Sequence, residues 1–424
     1  MNLRLVAYED SGWQQLLPLV YTRTACQLVC GMDTLLDKIR RLAGFAPEIW
    51  CRSYLAAVVA ADTGLPTNQR LDRSALLLNG RALWSALPPM ESGESSWVGT
   101  SGPEAQIVCL FADASLAAQI TPELLLDPAP NRAILEGLPR RDLSASCKLL
   151  DWTWELVHAH HQALLDDWDQ RQDRAAVLGS VAAGSHLLAP ESIYIGAGSR
   201  VKPGVVIDAE EGPVWIGNQV QIQPHVYIRG PACIEDHTLV QAGTVVREGA
   251  FIGPHCKIGG EIEASIIQGF SNKQHDGFLG HSYVGAWVNI GAASVSSDLK
   301  NTYGSVRVPI NGIEVDSGET FVGLLIGDHS KTAINVAFPS GAVVGFCANV
   351  AAPRSPKFAP SFSWIDGDTM QPYEVHRGLA VARRVLARRG RQMSPAAEKV
   401  FLQVARRARA IERWPAFDGI VHPG

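Results

Sequence analysis

Aliphatic residues recur at every sixth position through the middle of this chain, and that period leaves few folds open. The series runs Ile195, Val201, Ile207, slips by three residues, and resumes at Ile216, Ile222, Ile228, Ile234, Val240, Val246, Ile252 and Ile258. It returns at Val284 and Ile290, then at Ile326, Phe338, Val344 and Val350. A small or β-branched residue sits four positions after many anchors, as at Val220, Val226, Ala232, Thr238 and Thr244. Glycine follows the anchor at 196, 217, 253, 259, 285, 291, 327 and 345. One hexad cannot bury its own aliphatic side chain, but stacked hexads can, by turning each anchor into a three-sided prism. Glycine suits the corners, where the chain needs a positive φ or has no room for a side chain. A β-sandwich would alternate with period two and turn every 8–12 residues, and would not hold a phase of six. The pattern predicts a parallel β-helix over about residues 190–352.

Two stretches lose the phase, 264–283 and 297–325, and neither is expected to stay in the stack. Loops carried on a rigid scaffold are where sites usually sit. Residues 1–150 read as an irregular α/β domain, with buried strands at Leu3–Tyr8, Ala75–Leu78 and Gln106–Phe111 and helices at Asp33–Leu42 and Tyr54–Asp62. Trp84–Pro103 reads as a Gly/Ser/Pro-rich loop. Helical spacing of Leu149, Trp152, Leu156, His160, Leu164 and Trp168 places a linker helix within 151–173. Beyond a proline-rich stretch, residues 373–414 read as Arg-rich amphipathic helices. Pro395 suits the first position of the last one, and a cap over the open end of the β-helix is expected.

Composition narrows the function classes. With 46% hydrophobic and 19% charged residues among 424, the chain is globular, and its net charge of −5 gives no reason to expect nucleic acid. The charge is uneven, however. Residues 374–413 hold eleven Lys/Arg against three Glu, about +8, which leaves about −13 elsewhere. Eight scattered cysteines form no C-x-x-C pair, which argues against zinc and for reduced thiols in a cytoplasmic protein. No apolar run approaches the ~20 residues a membrane span needs, and the N-terminal residues do not read as a signal peptide.

Beyond the hexads, several strings carry a resemblance over nearly the whole chain: Leu16-Leu-Pro-Leu-Val-Tyr-Thr-Arg23, Asp208-Ala-Glu-Glu-Gly-Pro213, Ser271-Asn-Lys-Gln-His-Asp-Gly277, Leu299-Lys-Asn-Thr-Tyr303, Ile326-Gly-Asp-His-Ser-Lys331 and Phe358-Ala-Pro-Ser-Phe-Ser-Trp364. With the hexads, they resemble the sugar nucleotidyltransferases related to the bifunctional N-acetylglucosamine-1-phosphate uridyltransferase/glucosamine-1-phosphate acetyltransferase. The resemblance implies a Rossmann-like nucleotidyltransferase domain followed by a left-handed β-helix that trimerises. It implies acyl-CoA as donor and a phosphorylated or nucleotide-linked sugar as acceptor. Mg²⁺ is expected only if the N-terminal domain is active, and no other metal.

Acyl transfer to an amine needs a base and a donor for the oxyanion. The resemblance puts the base at His275, sugar-nucleotide contacts at Asn289 and acyl-CoA contacts at Ala292 and Asn335. Lys273 and Lys300 are candidates for phosphate pairing. Phe278 stands where the bifunctional enzyme has Tyr, and Asp298-Leu299 where it has Asn-Tyr. Asp298 therefore enters the substrate-contact set as a departure, because a carboxylate repels a phosphate that Asn would accept. His281 reads as structural, and His329 as either a turn residue or site lining.

Nucleotidyl transfer needs a Gly-rich phosphate nest and carboxylates for Mg²⁺. Here the first strand leads into Tyr8-Glu9-Asp10-Ser11-Gly12, and Asn79-Gly80-Arg81 replaces the Gly-Asp that holds the metal. Arg23 could grip a phosphate, and Asn79 or Arg81 a nucleotide. Three functions remain open: acyl transfer, sugar-1-phosphate nucleotidyl transfer, and a non-catalytic trimeric scaffold that senses a sugar nucleotide.

Overall fold

The computed structural model describes residues 3–91, 93–127 and 132–414. A six-stranded sheet organises the N-terminal part, in the order 48–50, 4–8, 75–79, 106–112, 97–101, 140–142. The first three strands are parallel, and Gln106–Ala112 runs antiparallel to both of its neighbours. Ala75–Asn79 is buried along its whole length at the centre. From Arg4–Tyr8 the chain crosses to one side to make Glu48–Trp50 and later returns on the other side as Ala75–Asn79. The carboxyl ends of these strands, at Tyr8 and Asn79, therefore flank the crevice where such sheets hold ligands. The stretch expected to be a loop over Trp84–Pro103 contains a buried strand, Trp97–Ser101, because it pairs with Gln106–Ala112 in a hairpin.

The hexads build a β-solenoid of the left-handed β-helix type. Three faces form in chain order: face 1 begins at Ser180–Val181, face 2 at His186–Leu188 and face 3 at Ile193–Ile195. Anchors from all three faces stack inside as one aliphatic core of buried Ile, Val, Leu and Ala. The stack begins before the expected residue 190, at Ser180–Val181, and ends after residue 352, at Ser363–Asp366.

Only one of the two phase breaks leaves the stack. Residues 264–283 stay in it. Ile266–Ile267, Asn272–Lys273 and Phe278–Gly280 pair with the preceding coil, and Tyr283–Val284 continues face 3. The period is lost there because corners shorten and Lys273 occupies an anchor position, in register with Ile258. The second stretch does depart. Val295–Ser296 pairs directly with Ala337–Phe338, so face 2 skips from one to the other. The excursion between them carries the hairpin Arg307–Ile310/Ile313–Asp316.

Face 3 is covered. Its outward residues Tyr194, Trp215, Cys233, Phe251, Ile266, Tyr283, Leu325, Val343 and Phe358 are buried in one cluster with the N-terminal domain. The linker helix, Thr153–Gln170, lies in this seam. Its Asp167, almost fully buried, pairs with Lys38 and with Arg41 at 2.6 Å and accepts from the Met32 amide. Its His160 accepts from the Gly31 amide at 2.7 Å and sets its ring edge-on to Phe251.

The tail forms two helices, Val375–Ala387 and Pro395–Ile411, with buried stripes of Leu379, Ala382 and Leu386, then Val400, Phe401, Val404, Ala405 and Ala408. The stripe is as expected, but its place is not the open end. The helices wedge between the N-terminal domain and the corner joining faces 3 and 1, where Phe401 meets His329, Phe346 and Phe362. Glu412 fastens them, accepting from Tyr21 Oη at 2.7 Å and from Ser361 N and Oγ at 2.7 and 2.6 Å. At the end of the stack the hairpin Ser363–Asp366/Thr369–Pro372 adds Ile365 and Met370 to the interior.

Candidate functional site

The chain's own ion pairs form part of the wall of a cavity of about 420 Å³ at this end of the sheet, lined by Tyr8, Asp10 and Arg81. Asp10 follows the first strand and accepts from Arg81 Nε and Nη2, both at 2.8 Å, and from Asn79 Nδ2 at 2.8 Å. Arg81 also pairs with Asp151 at the start of the linker segment. The guanidinium lies against Gly12, where any Cβ would collide with it. Arg81 and Asn79, both expected as nucleotide contacts, are 4% and 0% exposed, and both are tied to Asp10. Nor do the residues fit Mg²⁺, since both Asp10 oxygens already accept from Arg81. Glu9 is likewise committed, to Arg52 and the Ala25 amide.

On the β-helix the expected site residues divide between two corners. His275, Ala292 and Asn335 lie on successive coils at the corner joining faces 1 and 2, where the Asn335 amide donates to Ala292 O at 2.8 Å. His275 is exposed there, and Gln274 Nε2 lies 3.3 Å from its Nε2. Asn289 is exposed on face 1, its Oδ1 accepting from Asn272 at 3.3 Å.

Lys273 does not reach outward to a phosphate as expected. Its side chain enters the prism, and Nζ donates to Gly259 O at 2.8 Å and His275 O at 2.9 Å, under the His275 segment. Burial pushes its amine down to about 8. Lys300 is spent within the excursion, on Ser305 O at 2.8 Å.

Asp298 belongs to the next corner, between faces 2 and 3, at the foot of the excursion. There its Oδ2 lies 2.8 Å from His281 Nδ1. The imidazole stacks on Phe321, with ring centroids 5.0 Å apart, and His158 from the linker helix lies 6.3 Å away. His158 is itself tied to Phe321 O at 2.9 Å, and burial lowers its affinity for a proton. The His281 and Asp298 side chains keep 22% and 14% exposure. His281 was expected to be structural, and its contact with Asp298 joins it to a residue of the expected substrate-contact set.

Arg23 leaves the N-terminal domain and pairs with Asp328 of the β-helix at 2.6 Å, beside the Thr22 hydroxyl. His329 is buried next to it, and burial pushes its imidazole down to about 3, so the ring is neutral. Among the described residues, no group of three or more His, Cys, Asp or Glu side chains could hold a metal ion, and no helix is long and apolar enough to cross a membrane.

Residues 5–175 match the profile of the family described as sugar nucleotidyl transferase. A bifunctional sugar-1-phosphate nucleotidylyltransferase/acetyltransferase from Sulfurisphaera tokodaii is 28% identical over 173 residues, which cover 35% of this chain and 43% of that protein. The bifunctional protein GlmU of Bartonella bacilliformis is 30% identical over 143 residues, covering 30% and 29%. The chain thus spans less than half the length of these curated relatives. Among solved structures, the UDP-N-acetylglucosamine acyltransferase of Francisella novicida aligns with a TM-score of 0.27 and 15% identity, over 52% of this chain and 74% of that one. Residues 5–175 are thus similar to the sugar nucleotidyl transferase family, and parts of the chain are similar to GlmU-type bifunctional proteins.

Proposed function

We propose that the chain is a transferase of sugar-nucleotide metabolism whose β-helix moves an acyl group from acyl-CoA to the amine of a phosphorylated or nucleotide-linked sugar. The observation that carries this is the His281–Asp298 pair at the foot of the excursion. A carboxylate on Nδ1–H fixes the tautomer, leaving Nε2 as the base, and steadies the imidazolium that forms. The amine nitrogen attacks the thioester carbonyl while His281 takes its proton. The carbon–sulfur bond then breaks, and the departing thiolate recovers that proton from the imidazolium.

His275, the base implied by the resemblance, stands exposed at another corner, with Gln274 beside it. The acetyltransferase half of the names borne by relatives supports the donor. Nucleotidyl transfer is disfavoured by Arg81, whose guanidinium engages both oxygens of Asp10, the carboxylate that follows the first strand. A homotrimer, expected from the resemblance, belongs to the same proposal, and light scattering of the full chain measures it.

The test is acetyl-CoA turnover with amino-sugar phosphates and nucleotide-linked amino sugars. His281→Ala and Asp298→Asn should each lower kcat roughly 10²–10⁴-fold with little change in KM, and His275→Ala by less than about tenfold. The opposite ranking assigns the base to His275. If the parent acylates none of these acceptors, acyl transfer is wrong.

A further inference from the structure

A cavity of about 560 Å³ lies where the N-terminal domain, the β-helix and the tail meet, at the corner joining faces 3 and 1. This corner is a different edge of the prism from the one carrying His281. Its left-handed positions hold rings on successive coils. His237, His255, Phe270 and Trp287 stack at centroid spacings of 4.7, 4.7 and 4.3 Å, and His329 follows 6.4 Å beyond Trp287 with its ring parallel. Trp287 and His329 line the cavity.

Two buried polar atoms of cavity-lining residues have no hydrogen-bond partner, Arg23 Nη1 and His329 Nδ1. Native proteins rarely leave such atoms unsatisfied, and a shared cavity is a reason for it. His329 is only 8% exposed. Asp328 cannot serve the free Arg23 nitrogen, because its oxygens already accept from Arg23 Nη2, the Thr22 hydroxyl and the Ala286 amide.

The remaining wall is also suited to an anion. Arg391, held over the Phe270 ring at 4.7 Å, lines the cavity. So do Met393, Ser394 and Ala397, at the start of the 17-residue last helix, whose N-terminal end carries partial positive charge. The carboxylates facing the space are Asp328, already engaged, and Asp62.

We propose that this cavity binds a nucleoside diphosphate, with its phosphates between Arg23, Arg391 and the start of the last helix and its base against Trp287. The volume falls within the range of small-ligand sites. The guanidinium groups and the helix end recognise phosphate, the indole offers a stacking face, and His329 Nδ1 can meet a polar edge of the base. A simple sugar phosphate would leave the indole and the imidazole unused. The proposal does not depend on acyl transfer at His281. Ligand here would bind all three parts of the chain to one another.

Calorimetric titration of the full chain tests it, with UDP, ADP, uridine and inorganic phosphate as probes. Saturable binding is expected for the diphosphates, with uridine and phosphate each at least about tenfold weaker. Arg391→Gln, on an exposed loop, and Trp287→Ala should each raise the diphosphate Kd about tenfold or more, while His281→Ala leaves it unchanged. Arg23→Gln also breaks the contact with Asp328, so Arg391→Gln is the deciding variant. Absence of diphosphate binding at millimolar concentration overturns the proposal. So does an unchanged Kd in both Arg391→Gln and Trp287→Ala, which would place the nucleotide elsewhere. Phosphate binding as tightly as UDP would overturn the nucleoside part.

Discussion

Replacing Lys273 with Met should change how stability depends on pH more than it changes stability at any one pH. Lys273 is 3% exposed, in register with Ile258 in the aliphatic ladder, and its amine donates to two backbone carbonyls. Its proton affinity falls from the ordinary 10.5 to about 8 because burial disfavours the charged form. Below about pH 8 the lysine is protonated in both folded and unfolded chains, and the folded state bears the cost of a buried charge. Between about 8 and 10.5 the folded state releases its proton first, so the unfolded state binds more protons and stability rises with pH. At about 1.4 kcal/mol per pH unit of difference, the full swing is about 3 kcal/mol. Lost hydrogen bonds and altered packing in Lys273→Met are independent of pH and cancel when the two proteins are compared across pH. Urea unfolding at pH 7 and pH 10 should therefore show the parent gaining about 2–3 kcal/mol on the variant. Parallel pH curves would mean that the amine is hydrated, and the account of the interior at that coil would fail.

Arg81→Ala leaves Asp10 and Asp151 without their guanidinium and should cost about 3–5 kcal/mol, read as a lower urea midpoint. A parent that transfers labelled nucleotide to a sugar-1-phosphate with Mg²⁺ would instead show that Arg81 swings clear of the crevice. Glu412→Ala strands the donors of Tyr21 and Ser361 and should cost about 2–4 kcal/mol, with faster proteolytic removal of the tail, whereas Glu412→Gln should retain most of the attachment. Deletion from Tyr373 onward should lower solubility, since it uncovers Phe346, Phe362 and the His329 corner; an unchanged melting temperature would contradict the wedge role of the tail.

The prism was legible because its anchors are aliphatic and evenly spaced, and it became illegible where one of them is a lysine. Lys273 is apolar along its stem, so it can fill an anchor position while its charged end reaches a corner carbonyl, and a pattern of residue types does not register that. The tail's stripe was legible from spacing, but spacing does not say which surface receives it. The same limit hid the role of Arg81. The departure from a Gly-rich nest after the first strand could be read directly, while the ion pairs formed there join residues 10, 81 and 151. His281 and Asp298 are 17 residues apart and meet only because successive coils place them at one corner. The ring ladder had a visible trace, with His255, Phe270, Trp287 and His329 each three residues past an anchor (Ile252, Ile267, Val284 and Ile326).

Because the N-terminal domain occupies face 3, copies of this chain cannot meet through that face. A closed ring of three joins two unlike surfaces of each copy, and the faces left for that are 1 and 2. Such a ring turns the edge between them toward its axis and carries the N-terminal sheets around its rim. His275 lies on that edge. Its neighbours would then be supplied by the protomers across the axis, and dilution that separates the protomers would return it to bulk solvent. A His275 that a histidine-directed reagent modifies more slowly in concentrated than in dilute protein, at constant pH and salt, is the visible sign of that arrangement.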